Sequence, residues 1–434
     1  MADNSGFTTQ DIEVFRTLGQ CHSKKCEEEA RHTIPVMGIT INVFFDGTEN
    51  NIFNAGKRPS EKSSYGGDKS NIGLMYEALP SSQVKVYLDG IGTKRDQPDS
   101  TVGKATGTGD YGIDARVLEA FQKTVTEAKP KLGKTQPHYV TLNVFGFSRG
   151  AAAARNFVHL ANTQPELFKG WNFGKNNPSK QNGVSVNFVG LFDTVASYGK
   201  DLNFSNDTEQ LHLNFSSGYA NKVVHLVALD EYRANFPLTN INSALGLSAR
   251  NGKGKMGYEL RIPGAHSDVG GGYLSWTEKR NLVSCAQAQG VKFTQFVYSK
   301  GWYTEAQHQG RGWFARKINP QFHKVALGIM LDKTRKYAQL NISQSIAAVN
   351  GSDTVSQTIK NIQGIVRQWA QDESHTIWDL DGNPDQDWAR WVRNTALHLS
   401  INYNDPEETI AYHASGIWHG NQLKRQEHKG WYAK

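Results

Sequence analysis

One short segment of this 434-residue chain combines a nucleophile with the backbone shape that nucleophiles require. Ser148 lies in the pattern Gly146-x-Ser148-x-Gly150, between an apolar β-branched run and an alanine-rich helical run. Small residues two positions before and after a serine permit a tight, strained turn from strand to helix, with the helix N-terminus close to the hydroxyl. The pattern predicts that Ser148 attacks a carbonyl carbon; the alternative is a glycine-rich turn that serves packing alone.

A serine hydroxyl needs a base to take its proton, and the base needs a carboxylate to orient it. Among the histidines after Ser148, His266 alone directly follows a predicted strand within a glycine-bracketed loop, so we predict that it is the base. The carboxylate stays open between Asp193 and Asp230, because each ends a predicted strand. The charged run that begins at Asp230 indicates a local ion pair, which favours Asp193. Asp268 is expected to hold its own loop.

The negative oxygen that forms during attack on a carbonyl needs backbone N–H donors. One is expected from Arg149, the residue after the nucleophile, and another from the loop around Asp46 and Gly47, where glycine lets the backbone come close. A turn role for Asp46 is compatible with this function. Losing one such donor costs about 3–4 kcal/mol of transition-state stabilisation.

The elements that must position these residues alternate along the chain. Apolar β-branched runs predict six strands, at 39–45, 84–88, 139–145, 184–192, 223–229 and 258–262. Helical segments separate several of them, which predicts an α/β fold resembling the α/β hydrolases, with a mostly parallel sheet and helices on both faces. Each strand ends in a turn that carries Gly or Asp, and ligand loops gather at that edge of parallel sheets.

The chain divides by composition into three parts. Residues 1–35 are polar and predict an N-terminal extension, and residues 36–273 contain the strands of the catalytic core. Residues 274–434 hold most of the ten tryptophans and several helical patterns, such as 325–340 and 356–369, which predict a mainly helical cap or C-terminal subdomain packed on the core.

Composition excludes several classes of function. The net charge of +7 comes from scattered basic residues, and no nucleic-acid motif is present. Lys424 and Arg425 are predicted to be part of a solvated tail. Cys21 and Cys26 match no zinc spacing, so neither a metal nor a cofactor is expected. The chain has no signal peptide pattern and no membrane-spanning stretch, which predicts synthesis in the cytoplasm and export by a dedicated machine.

Six segments together resemble the bacterial α/β-hydrolase family of type VI secretion lipase effectors, first class. They are Phe44-Phe45-Asp46-Gly47-Thr48-Glu49-Asn50-Asn51, Asp89-Gly90-Ile91-Gly92-Thr93, Gly146-Phe147-Ser148-Arg149-Gly150-Ala151, Gly190-Leu191-Phe192-Asp193-Thr194-Val195, Ala228-Leu229-Asp230-Glu231 and Pro263 to Gly272. The resemblance also favours Asp193 as the acid. It implies a phospholipase of A1 or A2 type that acts on lipid at a membrane surface, a secretion spike protein and a cognate immunity protein as partners, and action in the periplasm of a target cell.

Two other functions fit the same residues. A small-molecule esterase or peptidase would use the same three side chains, and a preference for micellar over monomeric esters would separate it from a phospholipase. A non-catalytic binding module on a hydrolase scaffold predicts that Ser148 does not react with an organophosphonate.

Overall fold

The computed structural model describes most of the chain after residue 37. The described residues are 38–58, 63–173, 183–199, 211–233, 236–273, 277–281, 291–340, 342, 357–378, 380, 386–399, 417–419, 422–425 and 427–428. The predictions for the extension 1–35 and for Cys21 and Cys26 lie outside this part of the chain. Residues Ile39–Lys434 form one compact unit.

Thirteen strands are present in the described part of the chain. In chain order they are β1 (Gly38–Phe45), β2 (Val84–Leu88), β3 (Tyr139–Phe147), β4 (Val184–Phe192), β5 (Ala220–Ala228), β6 (Leu238–Thr239), β7 (Gly257–Ile262), β8 (Thr277–Asn281), β9 (His308–Gly310), β10 (Trp313–Lys317), β11 (Ile417–His419), β12 (Gln422–Lys424) and β13 (Glu427–His428). The six strands predicted from sequence are β1 to β5 and β7, with bounds that differ by at most three residues.

These six strands form the central sheet in the order β2-β1-β3-β4-β5-β7. The pairs β1–β2, β3–β4, β4–β5 and β5–β7 are all parallel. The chain builds outward from β1 to β2 and then crosses to β3 on the other side of β1, so the direction of winding reverses between β1 and β3. Loops that leave such a switch point at the carboxyl edge form a natural cleft. The loop of Asp46 and the turn at Ser148 leave there.

Helices cover both faces of the sheet, which confirms the predicted α/β class. In chain order the described helices are α1 (Asn71–Ala78), α2 (Thr101–Thr106), α3 (Ile113–Leu132), α4 (Ser148–Thr163), α5 (Asn242–Leu245), α6 (His266–Gly270), α7 (Val291–Ser299), α8 (His323–Ala338), α9 (Gln357–Trp369) and α10 (Gln386–Ala396). Helices α3 and α4 share an apolar core with one face of β1, including Ile41 and Val43. The intervening Phe44 points into a second core shared with α1 and α8. The alternation follows from the two-residue period of a strand.

Four asparagines form a hydrogen-bonded ladder across the sheet. The Nδ2 of Asn42 donates to the backbone oxygen of Val84, at 3.0 Å. Asn143 donates to Asn42 at 2.9 Å, Asn187 to Asn143 at 3.1 Å and Asn221 to Asn187 at 3.0 Å. Since each side chain comes from a different strand, this asparagine ladder links five adjacent strands, β2, β1, β3, β4 and β5.

The described part of residues 274–434 contains helices α7 to α10 and two small antiparallel sheets, β8-β10-β9 and β11-β12. Helix α8 packs on β4 and β5. Trp302 is fully buried, whereas Trp313 and Trp391 are 40 % and 41 % exposed. The tryptophans of this region therefore divide between core and surface.

Candidate active site

The chain turns sharply from β3 into α4 at Ser148, which has a φ of 58°. Few non-glycine residues adopt this left-handed conformation, and those that do often lie at functional sites. The two glycines of the motif are required by close contacts. A Cβ at Gly146 would lie 2.6 Å from the Cα of Ala151, and one at Gly150 would lie 2.2 Å from the backbone oxygen of Asp46. The turn is a strained elbow, as the sequence motif predicts.

Asp193 and His266 are hydrogen-bonded at the same edge of the sheet. The Nδ1 of His266 lies 2.5 Å from the Oδ2 of Asp193. An ionised carboxylate only accepts hydrogen bonds, so Nδ1 carries a proton and donates it. In the neutral ring this leaves Nε2 without a proton, as a general base requires.

Asp193 directly follows β4 and is fully buried, with a φ of 41°. Its Oδ1 accepts hydrogen bonds from the N–H of Ala228, at 2.9 Å, and from Nη1 of Arg425, at 2.5 Å. Burial by itself raises the pKa of this carboxyl, but the charge of Arg425 and the hydrogen bond from His266 outweigh it and hold the pKa well below its usual range. Asp193 is therefore ionised at neutral pH.

His266 is the first residue of α6 and is enclosed by aromatic rings. The ring of Phe147 lies 4.6 Å from it and that of Phe236 lies 5.0 Å from it, centroid to centroid. Its backbone N–H donates to Glu231 at 3.2 Å. Burial lowers the pKa of His266 below its usual 6.5 and outweighs the raising effect of Asp193, so the ring is neutral at pH 7.

Ser148 adjoins this pair through its chain neighbours. Phe147, the residue before it, contacts the ring of His266, and the backbone oxygen of Ser148 accepts the N–H of Val195 at 3.4 Å. Within the part of the chain that the structure describes, the Ser148 hydroxyl makes no hydrogen bond. Contacts between a nucleophile and its base are often long in ligand-free sites and tighten when substrate is present.

The other carboxylates near this edge hold backbone instead. Asp230 accepts the N–H of Gly264 at 2.8 Å through one oxygen and the Tyr232 hydroxyl at 2.9 Å through the other. Its neighbour Glu231 forms the ion pair expected in this charged run, with Arg233 at 2.8 Å. The structure thus joins His266 to Asp193 and gives Asp230 the task of shaping the loop before His266.

Asp268 holds its own loop, as expected, and also a residue that the sequence did not indicate. Its Oδ2 accepts the N–H of Ala265 at 2.8 Å, and its Oδ1 lies 2.5 Å from the Nδ1 of His398. The backbone N–H of His398 donates to the same carboxylate, at 2.8 Å. A second buried Asp–His pair therefore lies two residues beyond His266.

The loop predicted to bind the oxyanion is organised by the Asp46 side chain. This buried carboxylate accepts hydrogen bonds from the Ser70 hydroxyl and the Tyr87 hydroxyl, both at 2.5 Å, and from the N–H of Gly47 at 2.8 Å. Burial raises the pKa of Asp46 to about 6 despite these three donors. A Cβ at Gly47 would lie 2.5 Å from the ring of Phe147, so a glycine is needed there for the loop to approach the elbow.

The prediction that Arg425 is part of a solvated tail is wrong. Its side chain is 6 % exposed and is paired with Asp193, from which it is separated by 232 residues. No local pattern could signal this contact, because it depends on how distant segments pack.

A parallel sheet with helices on both faces, and with a serine elbow, an acid and a histidine at its carboxyl edge, is the arrangement of the α/β-hydrolase class. A family described as "T6SS, Phospholipase effector Tle1-like, catalytic domain" matches residues 40–170 and 161–289, more than half of the chain. The chain belongs to this family of type VI secretion system phospholipase effectors, and it is a hydrolase.

Structural comparison agrees on the fold. A solved structure of the Tle1 effector bound to the VgrG spike of the type VI secretion system matches with a TM-score of 0.56 and 20 % sequence identity, over 90 % of this chain and 92 % of that one. A crystal structure of an uncharacterised protein from Pseudomonas aeruginosa matches at 21 % identity over 62 % of this chain and 45 % of that one, with a TM-score of 0.33, too low to bear on the fold. No curated protein matches the sequence.

The described residues give two further results. Among them, no group of three or more His, Cys, Asp or Glu side chains is placed to hold a metal ion. No helix within the described ranges is both long enough and apolar enough to cross a membrane.

Proposed function

We propose that this effector is a serine-dependent phospholipase of A1 or A2 type, in which Ser148 is the nucleophile, His266 the base and Asp193 the acid. One observation carries the proposal: the 2.5 Å bond between His266 and Asp193 lies beside a serine held in a left-handed elbow. It fixes the tautomer that leaves Nε2 able to accept a proton.

The reaction proceeds in two halves. The Ser148 oxygen attacks the ester carbonyl carbon while its proton passes to Nε2 of His266, and ionised Asp193 stabilises the imidazolium that forms. His266 then gives the proton to the departing lysophospholipid oxygen, which leaves an acyl group on Ser148. In the second half water attacks the acyl carbon, His266 takes the proton of the water, and the fatty acid leaves as Ser148 recovers its proton.

The tetrahedral oxyanion is proposed to bind the N–H of Arg149 and the loop of Asp46 and Gly47. Arg149 directly follows Ser148 in the first turn of α4, so its backbone N–H lies at the positive end of the helix, beside the proposed nucleophile. The N–H of Gly47 donates to Asp46, so its share in the oxyanion hole depends on the Asp46 carboxylate moving or sharing this donor. Arg149 is therefore the principal donor in this proposal.

Residues 274–434 are proposed to form a cap that selects the substrate, with a membrane surface as the place of action. The exposed Trp313 and Trp391 support contact with lipid, since amphipathic indole rings are suited to an interface. We further propose delivery on a spike protein, as for the structurally similar Tle1 effector bound to VgrG, and action in the periplasm of a target cell, with an immunity protein protecting the producer.

The decisive experiment compares wild type with Ser148→Ala on phospholipids that carry different acyl chains at the two glycerol positions. Mass spectrometry of the products identifies which chain is released. We expect wild type to release one fatty acid and one lysophospholipid, and Ser148→Ala to lose activity by about 10³-fold or more.

The matched control is Ser185→Ala, at the opposite end of the sheet in β4, which should keep wild-type activity. Ser148→Ala with undiminished activity would contradict the serine mechanism. Hydrolysis of monomeric short-chain esters without any preference for micelles would favour the small-molecule esterase instead.

A further inference from the structure

Arg425 reaches the proposed catalytic acid from the last described part of the chain. Its Nη1 donates to the Oδ1 of Asp193 at 2.5 Å and to the backbone oxygen of Ala228 at 3.1 Å. The Oδ2 of Asp193 is meanwhile bonded to His266. The two oxygens of one buried carboxylate thus hold different partners, a permanent cation and the proposed base.

The same guanidinium also holds the residue that covers the other side of the base. Nε and Nη2 of Arg425 donate to the backbone oxygen of Phe236, at 3.1 and 2.8 Å. The ring of Phe236 packs edge-on against His266. Arg425 therefore contacts the acid directly and encloses the base through Phe236.

Backbone hydrogen bonds dock the segment that carries Arg425. Strand β13 pairs in parallel with β6, with Glu427 opposite Leu238 and His428 opposite Thr239. Thr239 in turn donates its N–H to the backbone oxygen of Thr194, at 3.0 Å. Thr194 is the residue after Asp193. The backbone pairing of β13 with β6 therefore helps to fix the position of Arg425, in addition to the contacts of its own side chain.

A fully buried carboxylate needs a partner of opposite charge. Arg425 supplies that charge without taking a proton from solution, because a guanidinium stays protonated. If it were removed, the nearest available cation would be His266 in its protonated form. The pair would then become an imidazolium and a carboxylate, and His266 could not accept the proton of Ser148.

We propose that Arg425 is a positioning residue for the reaction: it neutralises and orients Asp193, so that His266 remains an unprotonated base. This inference rests on the proposed function, in which Asp193 and His266 serve Ser148. It makes residues near the end of the sequence a working part of the active site.

Three other charged groups near Asp193 and His266, those of Glu231, Arg233 and Asp46, have hydrogen bonds or ion pairs of their own. Glu231 accepts the backbone N–H of His266 and is itself paired with Arg233, so these two largely offset one another. Asp46 titrates on the neighbouring loop, but its hydrogen bonds in the described part of the chain go to Ser70, Tyr87 and Gly47. These hydrogen bonds do not involve Arg425, although its charge also contributes to lowering the pKa of Glu231.

The test measures the rate at which a fluorophosphonate labels Ser148 between pH 5 and 9, in full-length wild type and Arg425→Gln. In this step the Ser148 oxygen displaces fluoride from phosphorus, and His266 takes the proton. The rate thus reports the state of the base without any lipid. We expect the acidic limb of the Arg425→Gln profile to move to higher pH by about one unit, with much of the rate recovered at high pH.

A uniform loss at every pH would show a merely structural role and would overturn the proposal, as would an unshifted profile. Arg335→Gln, which removes a half-exposed arginine paired with Asp332, should leave the profile unchanged. If the wild-type protein is not labelled at any pH, the result contradicts the proposed serine mechanism itself. A labelled wild type with an unshifted Arg425→Gln profile contradicts only the role of Arg425.

A second variant covers the case in which Arg425→Gln does not fold. Arg425→Lys keeps the positive charge but cannot make all the bonds to Asp193, Ala228 and Phe236 at once. We expect its acidic limb within about 0.3 unit of wild type and a rate several-fold lower. A limb displaced by a full unit, or a rate equal to wild type, would contradict the proposal.

Discussion

Two buried Asp–His pairs lie almost side by side in this protein, and they are bonded alike. Asp193 with His266 and Asp268 with His398 each show a carboxylate oxygen 2.5 Å from Nδ1. All four side chains are buried. If a short Asp–His hydrogen bond defined an active site, the two pairs could not be told apart.

Their surroundings differ. The Asp193 oxygen that is not bonded to His266 accepts a hydrogen bond from Arg425, and Asp193 lies next to the elbow of Ser148. Asp268 instead accepts two backbone N–H groups, from Ala265 and from His398 itself, so it fastens the segment after α10 to the loop of His266. The adjacent Ser148, our proposed nucleophile, and the cation paired with Asp193 distinguish the pair that we propose for proton transfer from the pair that holds two segments together.

The largest expected effect comes from removing the charge of the first pair. Asp193→Asn would present an amide to His266 and favour the wrong tautomer, so kcat should fall by about 10⁴-fold while the fold is retained. Steady-state hydrolysis of a micellar phospholipid, with the unfolding midpoint measured in parallel, tests this. A loss of less than tenfold would remove Asp193 from the triad.

Acidic pH should have the next largest effect, through His266 of the first pair. In the proposed mechanism His266 must be neutral, and burial lowers its pKa from 6.5, so kcat/KM should keep more than half of its maximal value from pH 8 down to 6.5. Below its pKa, activity should fall about tenfold per pH unit. If activity also requires an ionised Asp46, whose pKa is about 6, the logarithm of kcat/KM will fall by nearly two for each pH unit on the acidic side. A limb centred above 6.5 would contradict burial as the dominant cause.

Breaking the second pair should affect stability more than chemistry. His398→Leu leaves one oxygen of buried Asp268 without its donor, which should lower the free energy of unfolding by about 1–3 kcal/mol. Activity per folded molecule should stay within about threefold of wild type. Urea unfolding monitored by fluorescence gives the first quantity. His375→Leu, at a half-exposed histidine 3.7 Å from Asp372, is the control and should change little.

Asp230→Asn, the same substitution as Asp193→Asn at the end of the neighbouring strand, should reduce activity far less than Asp193→Asn does. The amide keeps one acceptor for Gly264, so kcat/KM should remain within about tenfold, with a modest loss of stability. A defect as deep as that of Asp193→Asn would reverse the assignment of the acid.

The sequence predicted the elements and the local motif well, for identifiable reasons. Strands β2 and β4 have the predicted bounds because their β-branched and apolar residues, partly in alternation with polar ones, end at turn residues. Ser148 and His266 can be proposed as site residues from the sequence because the features that mark them lie within a few residues in the chain.

The choice between Asp193 and Asp230 was harder, because it depends on which strand end faces His266 in three dimensions. Asp230 follows β5, the neighbour of β7, yet the carboxylate two strands from β7 makes the bond. The contacts of Arg425 and His398 could not be predicted from the sequence for a related reason. Each contacts a residue more than 100 positions away, and no composition or period encodes such a partner.

The asparagine ladder has a consequence for how this sheet assembles. Parallel strands rich in Val and Phe are nearly interchangeable in their apolar packing, and their pairings are distant in sequence and slow to form. If β1, β3, β4 and β5 were arranged in a different order, at least one buried side-chain amide would lie among apolar side chains without a hydrogen-bond partner. The hydrogen bonds from Asn42 to Asn221 thus favour the native order of the strands over other orders with similar apolar packing. The native strand order is what brings the loops at the carboxyl edge together.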